Sequence, residues 1–330
     1  MLTVEEIKSF IDADAASAKK DAAKVGVRYY EGDHDIKNYR MFFVDSNGDV
    51  KEDKFKSNIK ISHPFFTENV DQTVQYVLSN EDGLLKSDIP ELQTELDVYF
   101  NDNEDFDSEL ADVLTGGLVK GFEYAYAYKN ADDRTAFQCA DSIGVVEVEA
   151  RFASDKQDHI LYWYVDRIDK DGKKIKRIQV WDSMETHFYR QEDDGKIEPD
   201  PLEPINPKPH TIYKKGTDGT TYYESFGFIP FIRFDTCKKQ HSTLSPIKAL
   251  IDDYDLMSCG LSNNIQDSNE VLYVVKGFEG DNLDELHFNT KTKKLIGVGD
   301  DGDVEIRTID IPYEARKTKL ELDEMNIYRF

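Results

Sequence analysis

The sequence predicts an α+β protein: a mixed α/β body, then a long helical hairpin carrying a small β-rich insert. Three observations predict it. Apolar residues recur at three- and four-residue steps through the first 120 residues and alternate with period two from Gly121 to about Thr236. They then return to helical spacing from Ser245, along a stretch long enough for about seven turns. The chain has 330 residues, 39% hydrophobic and 12% aromatic, enough for one large core or two ordinary ones.

Thr3 and Glu6 form a capping box that opens a first helix, expected to run to about Lys24. Gly32-Asp33 and Asn47-Gly48 then punctuate short strands, and Met41–Val44 pairs with Val50–Phe55 as a hairpin. Thr67 is expected to cap the next helix, with Val70, Val74, Val77 and Leu78 on its apolar side. Residues 81–112 hold 12 acidic residues against one lysine, a net −11. Leu92, Leu96, Tyr99, Leu110, Val113 and Leu114 still place two amphipathic helices there, with the acids as a solvated face.

From Gly121, Phe122, Tyr124, Tyr126 and Tyr128 alternate, as do Val146 and Val148. Tyr162 and Tyr164 pair with the Ile175–Trp181 run across Asp171-Gly172, and Asp194-Gly195 and Asp218-Gly219 mark further hairpins. No basic residues interleave these aromatics, so they are sheet core rather than a base-stacking platform. Pro199, Pro201, Pro204, Pro207 and Pro209 make an extended connector. Pro230 confines Phe226–Phe234 to a buried edge strand or a docking segment.

Ser245-Pro246 reads as an N-cap with proline at the first helical position. The helix expected over 246–272 carries Ile247, Leu250, Ile251, Tyr254, Met257, Leu261, Ile265 and Leu272 as its apolar stripe. Asn263, Asn264, Gln266, Asp267 and Asn269 belong to its polar side. Tyr273–Lys276 continues as a strand, and Lys293–Val298 is expected to pair with Val304–Ile309 around Asp300-Asp301-Gly302. Ile311-Pro312 restarts a helix with Ala315, Leu320, Leu322, Met325 and Ile327 on its apolar side. It meets no C-cap glycine or proline before Phe330, which predicts a reading frame that continues.

Charge and motif content narrow the function. With 66 acidic against 41 basic residues the net charge is −25, which opposes tight wrapping of nucleic acid. The three cysteines, Cys139, Cys237 and Cys259, share no close spacing, so neither a disulfide framework nor a paired-cysteine metal site is expected. No run approaches the roughly 18 apolar residues of a membrane span, and the N-terminus lacks the plan of a signal peptide. Phosphate-cradling glycine motifs are absent, and Thr115–Gly121 has glycines without the spacing and reads as the end of a helix. The histidines never fall in a metalloprotease pattern; His34, in Gly-Asp-His-Asp, reads as part of a surface turn. Asp300, Asp301 and Asp303 lack the twelve-residue calcium loop and read as a hairpin tip. No catalytic, cofactor or metal residue is expected.

The segments Ser245–Asp255, Glu270–Gly280 and Asp310–Lys317 resemble the portal proteins of tailed bacteriophages, as do Tyr29–Ile36 and His63–Phe66. The likeness covers nearly the whole chain in element order and is sharpest from Phe226 onward. It implies a wing body over 1–244, with helices in 1–120 and antiparallel strands in 121–236. A first stem helix over 245–272, a clip over 273–311 and the start of a second stem helix over 312–330 would follow. The tunnel loop, the rest of the wing and the crown would lie beyond this chain.

The resemblance further implies a homo-oligomeric ring of about twelve copies at one capsid vertex of the virion, made in the host bacterial cytoplasm. Double-stranded DNA would pass through it, without sequence preference, during packaging and ejection. The partners would be the terminase large subunit, head-completion and neck proteins, scaffold and major capsid protein, with no membrane and no cofactor. Ile247, Leu250, Ile251, Tyr254, Met257, Leu261 and Ile265 would contact neighbouring subunits, and the polar side of the helix could face the channel. Lys291, Lys293 and Lys294 would be clip contacts. Residues 245–330 share the acidic bias, with 18 acidic and 10 basic residues, which suits a wall that a polyanion must pass without sticking. Two rivals stand beside this: a monomeric acidic adaptor or DNA mimic that binds a basic partner, and a metal-dependent hydrolase.

Overall fold

A computed structural model describes residues 2–44, 48–54, 56–79, 84–130, 134–149, 158–215, 219–268, 272–276, 303–307 and 313–329. These form two compact units, one of residues 1–33 with 64–248 and one of 34–63 with 249–330. Residues 34–63, expected in the body, therefore group with the long helix and the C-terminal segment.

The first unit opens with the expected capping box: the Glu6 N–H donates to the Thr3 hydroxyl at 3.2 Å and Thr3 N–H returns a bond to the Glu6 carboxylate at 2.8 Å. The single helix expected there is two, α1 (Val4–Ala15) and α2 (Ala18–Tyr30). Ser17 causes the break, because its hydroxyl accepts from Lys20 N–H and starts a new helix. α3 (Phe65–Leu78) begins after Pro64, so Thr67 is not its cap. Its hydroxyl instead donates to the Tyr30 carbonyl at 2.7 Å, while Val70 and Val74 are buried as expected.

The acidic stretch holds α4 (Pro90–Leu96), a π-helical turn (Asp97–Asn101) and α5 (Glu104–Lys120). Asn103 caps α5, and Gly121 ends it in the left-handed region at φ 91°. A Cβ there would lie 2.5 Å from the Gln240 carbonyl oxygen, so only glycine fits.

Alternation from Phe122 builds two sheets. β3 (Phe122–Lys129), β4 (Thr135–Ala140) and β13 (Phe231–Asp235) form one, in the order β13-β3-β4. The larger sheet is antiparallel: β5 (Val145–Val148), β6 (His159–Ile168), β7 (Lys174–Trp181) and β8 (Glu185–Glu192) run in order. Its far edge is β9 (Ile197–Pro199) and β10 (Lys208–Pro209), both paired with β8. Tyr162 pairs with Gln179 and Tyr164 with Arg177, as the Asp171-Gly172 turn requires. β11 (Thr211–Lys215) and β12 (Thr220–Glu224) make a separate hairpin.

Because successive side chains point to opposite faces, the large sheet feeds two cores. Val146, Leu161, Ile178 and Val180 pack with Ile7 of α1 on one side. Val145, Ile160 and Trp181 pack on the other with Ala23 of α2 and with Phe122, Tyr124 and Ala140 of the smaller sheet. β13 is an edge strand as Pro230 demands, but not a buried one: Ile232 is 50% and Phe234 40% exposed.

The second unit contains a 3-10 turn (Asp35–Asn38) and the hairpin β1 (Phe42–Val44) with β2 (Val50–Glu52), turned at Gly48 with φ 88°. α6 (Lys248–Ser268) is 21 residues long, about 32 Å at 1.5 Å per residue. It starts two residues later than expected; Ser245 lies in the preceding turn and donates its own N–H to the Ser242 carbonyl at 3.0 Å. β14 (Leu272–Lys276) pairs with β15 (Asp303–Arg307), Val275 opposite Val304. The strand expected over 304–309 thus finds its partner in 272–276, and its expected partner 293–298 lies outside the described residues. α7 (Tyr313–Ile327) follows. Among the described residues, no helix is long and apolar enough to cross a membrane.

Candidate functional site

The long helix α6 is the part of the chain whose surroundings decide its use. Along one side runs an extended segment, residues 57–63, held by side chains of the helix rather than by a strand. Ser57 N–H donates to the Asp267 carboxylate at 3.2 Å, and Ile59 N–H to the Asn263 amide oxygen at 2.7 Å. Ile61 N–H donates to the Cys259 sulfur at 3.2 Å, and His63 N–H to the Asp255 carboxylate at 3.0 Å. The spacing explains the fit. Two extended residues advance about 6.6 Å, and four helical residues rise about 6.0 Å, so every second N–H meets every fourth helix side chain. This strap runs antiparallel to α6 and satisfies backbone donors that no sheet pairs.

Its anchor is Asp255, which is fully buried. His34 Nδ1 lies 2.6 Å from one carboxylate oxygen and His63 Nδ1 2.7 Å from the other. A carboxylate only accepts, so both imidazoles present Nδ1–H to it. Burial alone would push this carboxyl up. The hydrogen bonds from His34 and His63 more than offset that, and it sits below its ordinary range. His34 is itself fully buried, which corrects its expectation as a surface turn: its ring is spent on Asp255, 221 residues away in sequence. Tyr254 adds an edge-on ring contact to His63, with centroids 4.7 Å apart.

A second side of α6 meets α7. Lys319 bridges Asp253 and Asp323, whose hydrogen bonds push its ammonium above its usual range. With its amide oxygen turned to the guanidinium, Asn264 accepts from Arg316 at 2.8 and 2.9 Å. Much of the polar side of the helix, expected to be open towards a channel, is therefore occupied within the chain. Asn263 is 4% exposed, and Asn264 and Asp267 bind α7 and the strap.

Counted from Asp255 at about 100° per residue, the strap-binding row covers about 120° and Asp253, Gly260 and Asn264 fall near 140–180°. Leu250, Tyr254, Leu261 and Ile265 fall together on the third side, near −80 to −140°, with Met257 at its border. Leu250, Tyr254, Met257 and Leu261 are half-buried, and Ile265 is 51% exposed. Ile247 and Ile251 correct the expected stripe: they are 3% and 0% exposed, already covered within this chain and not open to a neighbour. A periodic stripe records apolar positions, not which of them the chain fills itself. Lys291, Lys293 and Lys294 lie outside the described residues.

Sequence reasoning missed the strap and the histidine clasp. It also missed the one group among the described residues that could hold a metal ion, Asp182, Glu185 and His187, with ligand atoms within 4.8 Å. Asp182 there already accepts from Met184 and Glu185 N–H at 2.8 Å each, which caps the turn between β7 and β8.

Residues 11–330 match the sequence profile described as "Phage portal protein, SPP1 Gp6-like". The portal protein of Bacillus phage SPP1 is 26% identical over 341 residues, covering 99% of this chain and 65% of that protein. The portal protein of Clostridium phage phiCD119 is 33% identical over 113 residues, 33% of this chain and 25% of that protein. The chain thus spans less than two thirds of the length of the curated relatives it matches.

Two solved structures share a loose likeness. "Neck of empty GTA particle computed with C6 symmetry" has a TM-score of 0.39 at 10% identity, over 80% of this chain and 64% of that one. "Neck of native GTA particle computed with C12 symmetry" has 0.38 at 9% identity, over the same shares. Overlays this loose carry no argument. The profile match over nearly the full length does carry one: the chain belongs to the SPP1 Gp6-like family of phage portal proteins.

Proposed function

We propose that this chain is a subunit of a portal ring of about twelve copies, a channel for double-stranded DNA at one capsid vertex during packaging and ejection. Family membership supports the role, and the third side of α6 carries it physically. With the strap on one side and α7 on another, Leu250, Leu261 and Ile265 leave an apolar strip on the helix. Packing such strips between neighbouring copies would give a closed set of like contacts.

In this reading α6 and α7 begin the two stem helices, and the segment between them is the clip, with Lys291, Lys293 and Lys294 available to an acidic partner. The first unit is the wing. The terminase large subunit, neck proteins, scaffold and major capsid protein are the docking partners. The net charge of −25 suits a conduit, because a wall that bound phosphates tightly would hold the DNA it must pass. The role is structural, with no catalytic step.

Leu250→Asp or Leu261→Asp tests this. Each places a charge in the strip and is expected to abolish closed rings in negative-stain images while the circular dichroism of the body stays unchanged. Closed rings from either variant would rule out the stem assignment.

A further inference from the structure

The hairpin β1–β2 has an apolar face with nothing on it. Its register sets Phe42 opposite Glu52 and Val44 opposite Val50, so Phe42, Val44 and Val50 share one face. They are 60%, 66% and 69% exposed. A two-stranded hairpin is marginal in water by itself, and a bare apolar face on one invites association.

The charge around it is also out of character for this chain. Residues 34–63 hold six Lys or Arg against five Asp or Glu, a net +1 in a protein of −25. Lys51, Lys54 and Lys56 flank the apolar face and are exposed.

The first unit carries the counterpart. On and beside α4, Ile89 is 57%, Leu92 48% and Val98 46% exposed. Asp88, Glu91 and Glu95 stand exposed among them, in the 81–112 stretch of net charge −11. One patch is apolar and basic, the other apolar and acidic, and both are exposed in the single chain.

We propose that the β1–β2 hairpin of one copy docks on the α4 patch of the next copy. The occupant is a second copy of this chain because each copy carries both halves of a complementary pair. Two different patches that fit each other make a head-to-tail contact, which closes into a ring when the rotation allows. This rests on the ring reading and adds a second interface to it, away from α6. Electrostatic complementarity fixes the register of the contact, and the apolar face supplies its burial.

The test is a short bismaleimide crosslink on the chain with Cys237→Ser, Val44→Cys and Leu92→Cys. A ladder of covalent multimers on a denaturing gel is the expected result. A product that stays monomeric, or carries its crosslink within one chain, overturns the proposal. Charge reversal gives a second arm that leaves the hairpin's apolar face in place. Lys51→Glu with Lys54→Glu, or Glu91→Lys with Glu95→Lys, is expected to raise the concentration needed for assembly about tenfold. All four together are expected to restore it, which loss of folding would not do, and failure to restore overturns the pairing. Rings without the crosslink sink this contact and leave the α6 interface standing; an unmodified protein that forms no rings sinks both.

Discussion

Removing the Asp255 carboxylate by Asp255→Ala strips the strap of its anchor. It deletes the bonds from His34 Nδ1 at 2.6 Å, from His63 Nδ1 at 2.7 Å and from His63 N–H at 3.0 Å. Hydrogen bonds to a charged group contribute about 1.5–3 kcal/mol each, but three on one carboxylate do not add. His34 is fully buried, so water cannot replace its lost acceptor. Breaking a buried charged contact from one side costs about 3–5 kcal/mol, and that is the expected loss for this unit in urea unfolding. Asn263→Ala removes one neutral bond, to Ile59 N–H, and should cost about 1 kcal/mol.

Hydrogen exchange of residues 57–63 reads the same effect locally, with protection of the strap amides falling about 100-fold in Asp255→Ala. The carboxyl is held below its ordinary value, so its contribution is complete above an unfolded pKa of about 3.9 and fades as pH falls from there through the lower folded value. Strap protection should therefore collapse only below about pH 4. A loss under about 1 kcal/mol for Asp255→Ala, or equal losses for Asp255→Ala and Asn263→Ala, would refute the anchor.

Two further outcomes follow from local geometry. Cys237 is exposed, and hydrogen bonds from the His241 and Lys239 backbone lower its thiol, whereas burial pushes Cys139 up to about 12. Iodoacetamide at neutral pH should modify Cys237 first and Cys139 last in peptide mass spectra, and comparable rates would contradict this. Gly26→Ala drives a Cβ to 2.0 Å from the Val119 carbonyl oxygen, where α2 crosses α5. Since backbone rather than a flexible side chain must yield, a loss of about 1–3 kcal/mol is expected in thermal unfolding, and an unchanged midpoint would show that the crossing adjusts freely.

Most of the body was legible because its signals are local. The Thr3–Glu6 capping box, the alternation from Phe122 and the hairpin turns depend on neighbours a few residues apart, and the structure has all of them. The first helix was misjudged because Ala16-Ser17 interrupts no apolar period; only the Ser17 hydroxyl, reaching Lys20 N–H, restarts it.

The strap was illegible for the opposite reason. Its partners sit 192 to 210 residues away, and an extended chain bound through its backbone leaves no side-chain period. One half of the signal was present: Asp255, Cys259, Asn263 and Asp267 recur every four residues. That row was taken for a water-facing side, because polarity alone does not distinguish a side chain facing solvent from one holding another chain's N–H. Likewise Ile251 belongs to the apolar stripe by spacing, and only the folded chain shows it already covered.

The central claim is that copies of this chain close into a ring through the third side of α6. Negative-stain imaging of the unmodified protein beside Leu250→Asp tests it most directly. Closed rings with a central hole for the first, and folded monomers for the second, are the predicted result. A monodisperse monomer from the unmodified protein at high concentration would contradict it and leave an acidic adaptor for a basic partner as the better account of a chain with net charge −25.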